Sequence, residues 1–184
     1  MAEHMERQTA STEIYKGHIF TITKDEVLLE NGKPVTREVV HHTGGAAVVA
    51  LNDRGEVALV RQYRYAAKQE LIELPAGKLE PGEDPRETAI RELAEEAGLK
   101  ADSVVPFGGV IPTPAYCTEV LYNYLATGLH TVPRNLDEDE FVDVFWLGLD
   151  EAVEMVLDGR ITDAKTVAGL LRAQLLKVTG QLPV

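Results

Sequence analysis

Two periods divide the chain. Apolar and polar residues alternate with a period of two through much of residues 13–65, and recur at helical spacing after residue 84 and again near the end. From Glu13 to His42 the alternation runs around Asn31-Gly32, a strong hairpin signal, and predicts an N-terminal antiparallel β unit over residues 1–43. The opening "MAEHMERQTAS" lacks the apolar core of a signal peptide and reads as a frayed end. "AAVVALN" and "EVALVRQYRY" flank the Asp53-Arg54-Gly55 turn and predict a second, more buried hairpin. "LIELPAG", "VVPFGGVI", "EVLYNYLATGL" and "FVDVFWLGL" read as further strands, with the Pro-rich "PTPAYCT" and the acidic "NLDEDE" as loops between them. Helical spacing appears in "PRETAIRELAEEAGL", "LDEAVEMVLDG" and "TDAKTVAGLLRAQLLKV", with Thr162 or Asp163 able to cap the last. This mixture predicts an α+β protein, an α/β/α sandwich with a mixed central sheet, rather than a regular βαβ array.

Composition narrows the partners. With 18 Lys plus Arg against 30 Asp plus Glu the formal net charge is −12, which repels nucleic-acid phosphates and anionic membranes. The 45% hydrophobic content is enough for a core, and no apolar run reaches the ~20 residues that span a bilayer. A single cysteine, Cys117, forms no internal disulfide and offers no thiolate cluster, so a reducing, cytoplasmic location is expected.

The stretch from Glu83 to Glu96 holds six carboxylates and two arginines. Asp84 is placed to cap a helix, Pro85 to occupy its first position, Glu87 to close a capping box and Gly98 to end it. At about 100° per residue, Glu95 and Glu96 lie roughly −60° and +40° from Glu92, while Ile90, Leu93, Ala94 and Ala97 fill the opposite arc. Such a face can be merely solvated, with a weak Glu87–Arg91 pair. Yet Arg91 alone does not neutralise three adjacent glutamates, and hard carboxylate oxygens at this spacing suit Mg²⁺ or Mn²⁺.

Gly77, Glu83 and "RELAEEAGL", separated by five and seven residues, fill every specified position of the signature that this chain shares with the Nudix hydrolases. The resemblance spans residues 15–176 and implies a Nudix hydrolase domain over residues 44–184. It also implies divalent-metal-dependent hydrolysis of a nucleoside diphosphate linked to another moiety. In it Glu92 and Glu96 are the main metal ligands, Glu95 a further ligand or metal-water contact, and the Ala76 carbonyl an additional ligand. Arg91 and Glu83 organise the loop and helix.

Outside that signature, "RQYRY…ELPAGKLEPGE", "IPTPAYCTE" and "LDEDEFVDVFW" resemble the ADP-ribose and ADP-sugar pyrophosphatases, and Pro114 stands fifteen residues past Leu99, as that subfamily has it. The resemblance implies diphosphate contacts from Arg64 and Arg37, a metal or substrate contact from Glu73, and a terminal-ribose contact from Glu119. For each arginine the alternative is a surface residue of a strand, and for Glu73 a cross-strand ion pair is an equally good account. For the water-activating base the resemblance offers Glu138 and Glu140, with Glu140 preferred because "EFVDV" keeps the register; a solvated acidic turn is the alternative. Tyr15 or Phe20 could stack on adenine, while His41 and His42 read as strand residues. A homodimer in which the N-terminal unit helps complete each site is implied too. The expected reaction takes ADP-ribose to AMP and ribose 5-phosphate. The alternatives are another nucleotide sugar, GDP-mannose or ADP-glucose, and a nucleotide-sensing module without catalysis.

Overall fold

The structure is a computed structural model that describes residues 4–136 and 141–182. Two compact units make it up, one of residues 1–44 with 113–119 and one of residues 45–112 with 120–184.

In the first unit β1 (Arg7–Lys16), β2 (Phe20–Leu28) and β3 (Pro34–His42) form an antiparallel sheet in that order. The expected turn forms: Gly32, at φ 76°, donates to the Leu29 carbonyl, and the Asn31 side chain accepts from Lys33 N. The opening residues are not frayed from Arg7 onward, because Arg7 pairs with Leu28 and the strand's backbone groups find partners along β2. All ten β1 side chains are exposed, so the strand has no apolar face for a periodicity to detect. Residues 113–119 lie along β3, where Val40 N donates to Tyr116 O and Thr118 N to Val40 O.

The second unit holds β4 (Gly45–Ala50), β5 (Glu56–Arg64), β6 (Gln69–Glu73), β7 (Ala76–Lys78), α1 (Pro85–Glu95), β8 (Leu99–Val110), β9 (Leu121–Thr131), β10 (Val142–Gly148), α2 (Leu149–Leu157) and α3 (Ala164–Val178). One sheet runs β7-β4-β9-β8 and a second β10-β5-β6. All six β4 residues are buried, and their alternation serves two cores. Ala47 and Val49 pack with Leu149, Ala152, Leu170 and Ala173 of α2 and α3, whereas Ala46, Val48 and Ala50 pack with Ala89, Leu93 and Ala97 of the α1 segment. A strand buried on both faces needs helices on both sides, which makes this unit an α/β/α sandwich. Its sheet is mixed, since β4 runs parallel to β9 and antiparallel to β7.

The predicted β4–β5 hairpin does not form beyond its tip. The turn closes through Asn52 and Gly55, and one bridge joins Leu51 to Val57, after which the strands part. β4 takes β7 and β9 as neighbours, β5 takes β6 and β10. Tight-turn chemistry specifies the reversal; the full burial of β4 places it inside a different sheet.

Candidate active site

Helix α1 begins as its sequence dictates, with Pro85 in the first turn and the Asp84 carboxylate accepting from Arg86 N at 2.8 Å. Thr88, Ala89 and Leu93 bury the helix against the sandwich, and Gly98 ends it at φ 65°. The i, i+4 spacing predicts an Arg91–Glu87 pair, but Arg91 instead gathers other carboxylates. Nη1 lies 2.6 Å from Glu92 and 3.0 Å from Glu95, while Nε and Nη2 meet Glu83 at 3.2 and 3.3 Å. Glu87 lies 3.5 Å from Arg86. Glu83 also accepts from Glu80 N, tying the loop to the helix. The Arg91 hydrogen bonds, with that backbone donor, draw the Glu83 carboxyl from its ordinary 4.5 down to about 2. Partial burial opposes the charge of Arg91, yet Glu83, Glu92 and Glu95 outweigh it and hold the guanidinium more firmly protonated than usual.

Glu92 and Glu96 are not a solvated face: they are 7% and 2% exposed. Residues 73–76 form a strap beside them. Ala76 N donates to Glu96 Oε2 at 2.8 Å, Leu74 N donates to Thr166 Oγ1 of α3, and Pro75 O accepts from Val48 N of β4. At the other end of the strap Glu73, 1% exposed, receives Arg64 bidentately, Nε to Oε1 and Nη2 to Oε2, both at 2.7 Å. It also receives Lys165 Nζ at 2.5 Å. Burial alone would raise the Glu73 pKa, but the two cations turn the shift downward. Glu73 in turn raises that of Arg64, and the charges of Glu96 and Asp163 add to the effect. Arg64, Glu73, Ala76, Glu92, Glu95 and Glu96 therefore belong to one connected assembly within the second unit.

Lys165 escapes a reading by residue type alone. Its signal is a cation within the buried stripe of α3, formed with Thr166, Gly169, Leu170 and Ala173. In the first unit Arg37 pairs with Glu6, at 2.9 Å from Nε and 2.6 Å from Nη2. Glu119 lies 3.5 Å from His42 Nδ1, which accepts from Gly44 N. His41 Nε2 meets Thr23 Oγ1 at 2.8 Å. The rings of Tyr15 and Phe20 lie 5.9 Å apart, tilted by 47°. Glu138 and Glu140 fall outside the described residues.

The α1 carboxylates fit a divalent cation. Every donor is a hard oxygen, and the Arg91 guanidinium already bridges Glu92 and Glu95 as a cation would. A Cβ on Gly77 would come within 1.7 Å of Glu92 Oε1, so the loop leaves that carboxylate the space a side chain would fill. Among the described residues no group of three or more His, Cys, Asp or Glu side chains is gathered closely enough to hold a metal ion by itself.

This chain belongs to the Nudix family: the NUDIX domain model matches residues 41–170, and that of the nucleoside diphosphate sugar hydrolase N-terminal domain matches residues 6–40. Among its relatives is the ADP-ribose pyrophosphatase of Bacillus subtilis (strain 168), 37% identical over 172 residues that cover 92% of this chain and 93% of that protein. The methanol dehydrogenase activator of Bacillus methanolicus is 40% identical over 178 residues, covering 95% and 96% of the two chains. A solved structure, the crystal structure of an ADP compounds hydrolase, superposes with a TM-score of 0.82 at 22% identity, covering 98% of this chain and 100% of that one, a likeness of fold.

Proposed function

We propose that this protein is a divalent-metal-dependent pyrophosphatase that hydrolyses ADP-ribose to AMP and ribose 5-phosphate. The observation that carries the reading is the buried Glu92–Glu96 pair of α1, linked by the 73–76 strap to a half-exposed arginine in a family that hydrolyses nucleoside diphosphate derivatives. Glu92, Glu96, Glu95 and the Ala76 carbonyl would hold Mg²⁺, or Mn²⁺, which when bound offsets phosphate charge and acidifies a water. Arg64 receives the diphosphate: two of its N–H donors bind Glu73, among the described residues no hydrogen bond engages Nη1, and the side chain is 42% exposed. Glu140, or its neighbour Glu138, takes the proton of the attacking water as the water oxygen bonds to one phosphorus. The bridging oxygen then leaves with the other phosphoryl group, giving the two monophosphates. Arg37, Glu119 and the adjoining aromatics belong to the β unit, which serves substrate binding and pairing with a second copy of the chain. The single cysteine supports a reducing, cytoplasmic location, and among the described residues no helix is long and apolar enough to cross a membrane.

The test is AMP and GMP release from ADP-ribose, ADP-glucose, GDP-mannose, NADH and diadenosine polyphosphates, with Mg²⁺ and with EDTA. The expected result is preference for ADP-ribose, abolished by EDTA and reduced at least ~100-fold in Glu96→Gln. Preferred turnover of GDP-mannose or ADP-glucose would move the substrate assignment. Binding without turnover would make the chain a sensing module.

A further inference from the structure

Lys165 is a buried lysine, 6% exposed, which the proposed reaction leaves without a role. Its ammonium lies 2.5 Å from Glu73 Oε2 and 3.0 Å from Asp163 Oδ2. Asp163 is already engaged as the cap of α3, accepting from Thr166 N at 3.0 Å and Thr166 Oγ1 at 2.6 Å. Helix-start geometry thus anchors the lysine, whose backbone carbonyl also accepts from the Asn123 side chain at 3.0 Å.

Glu73 has more partners than a purely structural pair requires. Arg64 alone, docked bidentately, satisfies the buried Glu73 carboxylate in both charge and geometry. A second buried cation adds a desolvation cost that such a pair does not require. Its consequence appears at Arg64. Lys165, itself balanced by Asp163, holds Oε2, the same Glu73 oxygen that accepts from Arg64 Nη2, and so fixes the carboxylate on which the guanidinium docks.

We propose that Lys165 is a positioning residue for the diphosphate: by fixing the Glu73 carboxylate it orients Arg64 toward the substrate. The inference rests on the reading of Arg64 as the diphosphate contact. The test measures kcat and KM for ADP-ribose with Mg²⁺, together with melting temperature, in Lys165→Met, Lys165→Arg, Arg64→Gln and the Lys165→Met/Arg64→Gln double variant. The expected result is a KM raised about tenfold in Lys165→Met with kcat much less affected, as loss of one charge-assisted contact predicts. Lys165→Arg should recover most of that loss, and the double variant should bind no worse than Arg64→Gln alone. Single effects on KM that multiply in the double variant would overturn the proposal, as would an unchanged KM in folded Lys165→Met. If Lys165→Met does not fold, Lys165→Gln takes its place in the same comparison. An Arg64→Gln variant with unchanged KM, or no turnover of ADP-ribose by the unaltered enzyme, would instead overturn the underlying reading, and the Lys165 proposal with it.

Discussion

Gly77 carries a constraint that no periodicity expresses. The Cβ of an alanine there would lie 1.7 Å from Glu92 Oε1 and 2.1 Å from Glu92 Cδ, well inside contact distance. One of the two must move, and the movable group is the carboxylate proposed to hold the metal. Gly77→Ala should therefore leave the protein folded while lowering metal-dependent turnover by at least about tenfold, because small displacements of catalytic groups are expensive. Steady-state kinetics beside a thermal melt would check it, and a fully active alanine variant would contradict the placement of Glu92. That Glu92, Glu95 and Glu96 share one face was legible from spacing, while the metal role proposed for them came with the family resemblance. The role of Lys165 was not legible, because a lysine near a helix start ordinarily reads as solvated, and only the buried Glu73 from a distant strand gives it a partner.

At the scale of the element, α1 was the most readable part of the chain, since its cap, proline and stop residues act locally. Its charge pairing was less readable. Arg91 has several carboxylates within reach, and it takes Glu83 of the loop together with Glu92 and Glu95 rather than Glu87. This link has a pH signature. The Glu83 carboxyl falls from 4.5 unfolded to about 2 in the folded chain, so the native state binds fewer protons there. The stability it contributes is complete above the ordinary carboxylate range and is lost as pH falls from about 4.5 toward 2. Melting temperatures of the unaltered protein and Glu83→Gln should differ near neutrality and converge across that acid window. A gap that stays constant with pH would mean that the Glu83–Arg91 contact contributes nothing to folding.

For the whole molecule, the N-terminal sheet is the element most in need of a partner. β1 buries none of its side chains, and Ile14, Tyr15, Ile19 and Phe20 are all more than a third exposed. A three-stranded sheet with so little buried apolar surface gains from covering it. That supports the proposed homodimer. Sedimentation equilibrium should give about twice the 20.2 kDa chain mass. Removal of residues 1–42 should abolish dimer and turnover together, and an active monomer from that deletion would sink the shared-site reading.

The sequence by itself determined what depends on near neighbours: the Asn31-Gly32 hairpin, the capped α1 helix with its glutamate face, the two C-terminal helices and the family signature that joins Gly77 to Leu99. Each rests on turn, cap or spacing chemistry within a few residues. Tertiary structure decided what depends on distant ones. β4 left its expected partner β5 to lie between β7 and β9, because a strand apolar on both faces is most stable inside a two-core sandwich. Arg7–Lys16 became a strand through pairing that its exposed side chains do not advertise. The Arg64–Glu73–Lys165 assembly spans 101 positions from end to end, and burial of a carboxylate between two cations is a property of the folded interior rather than of any local segment.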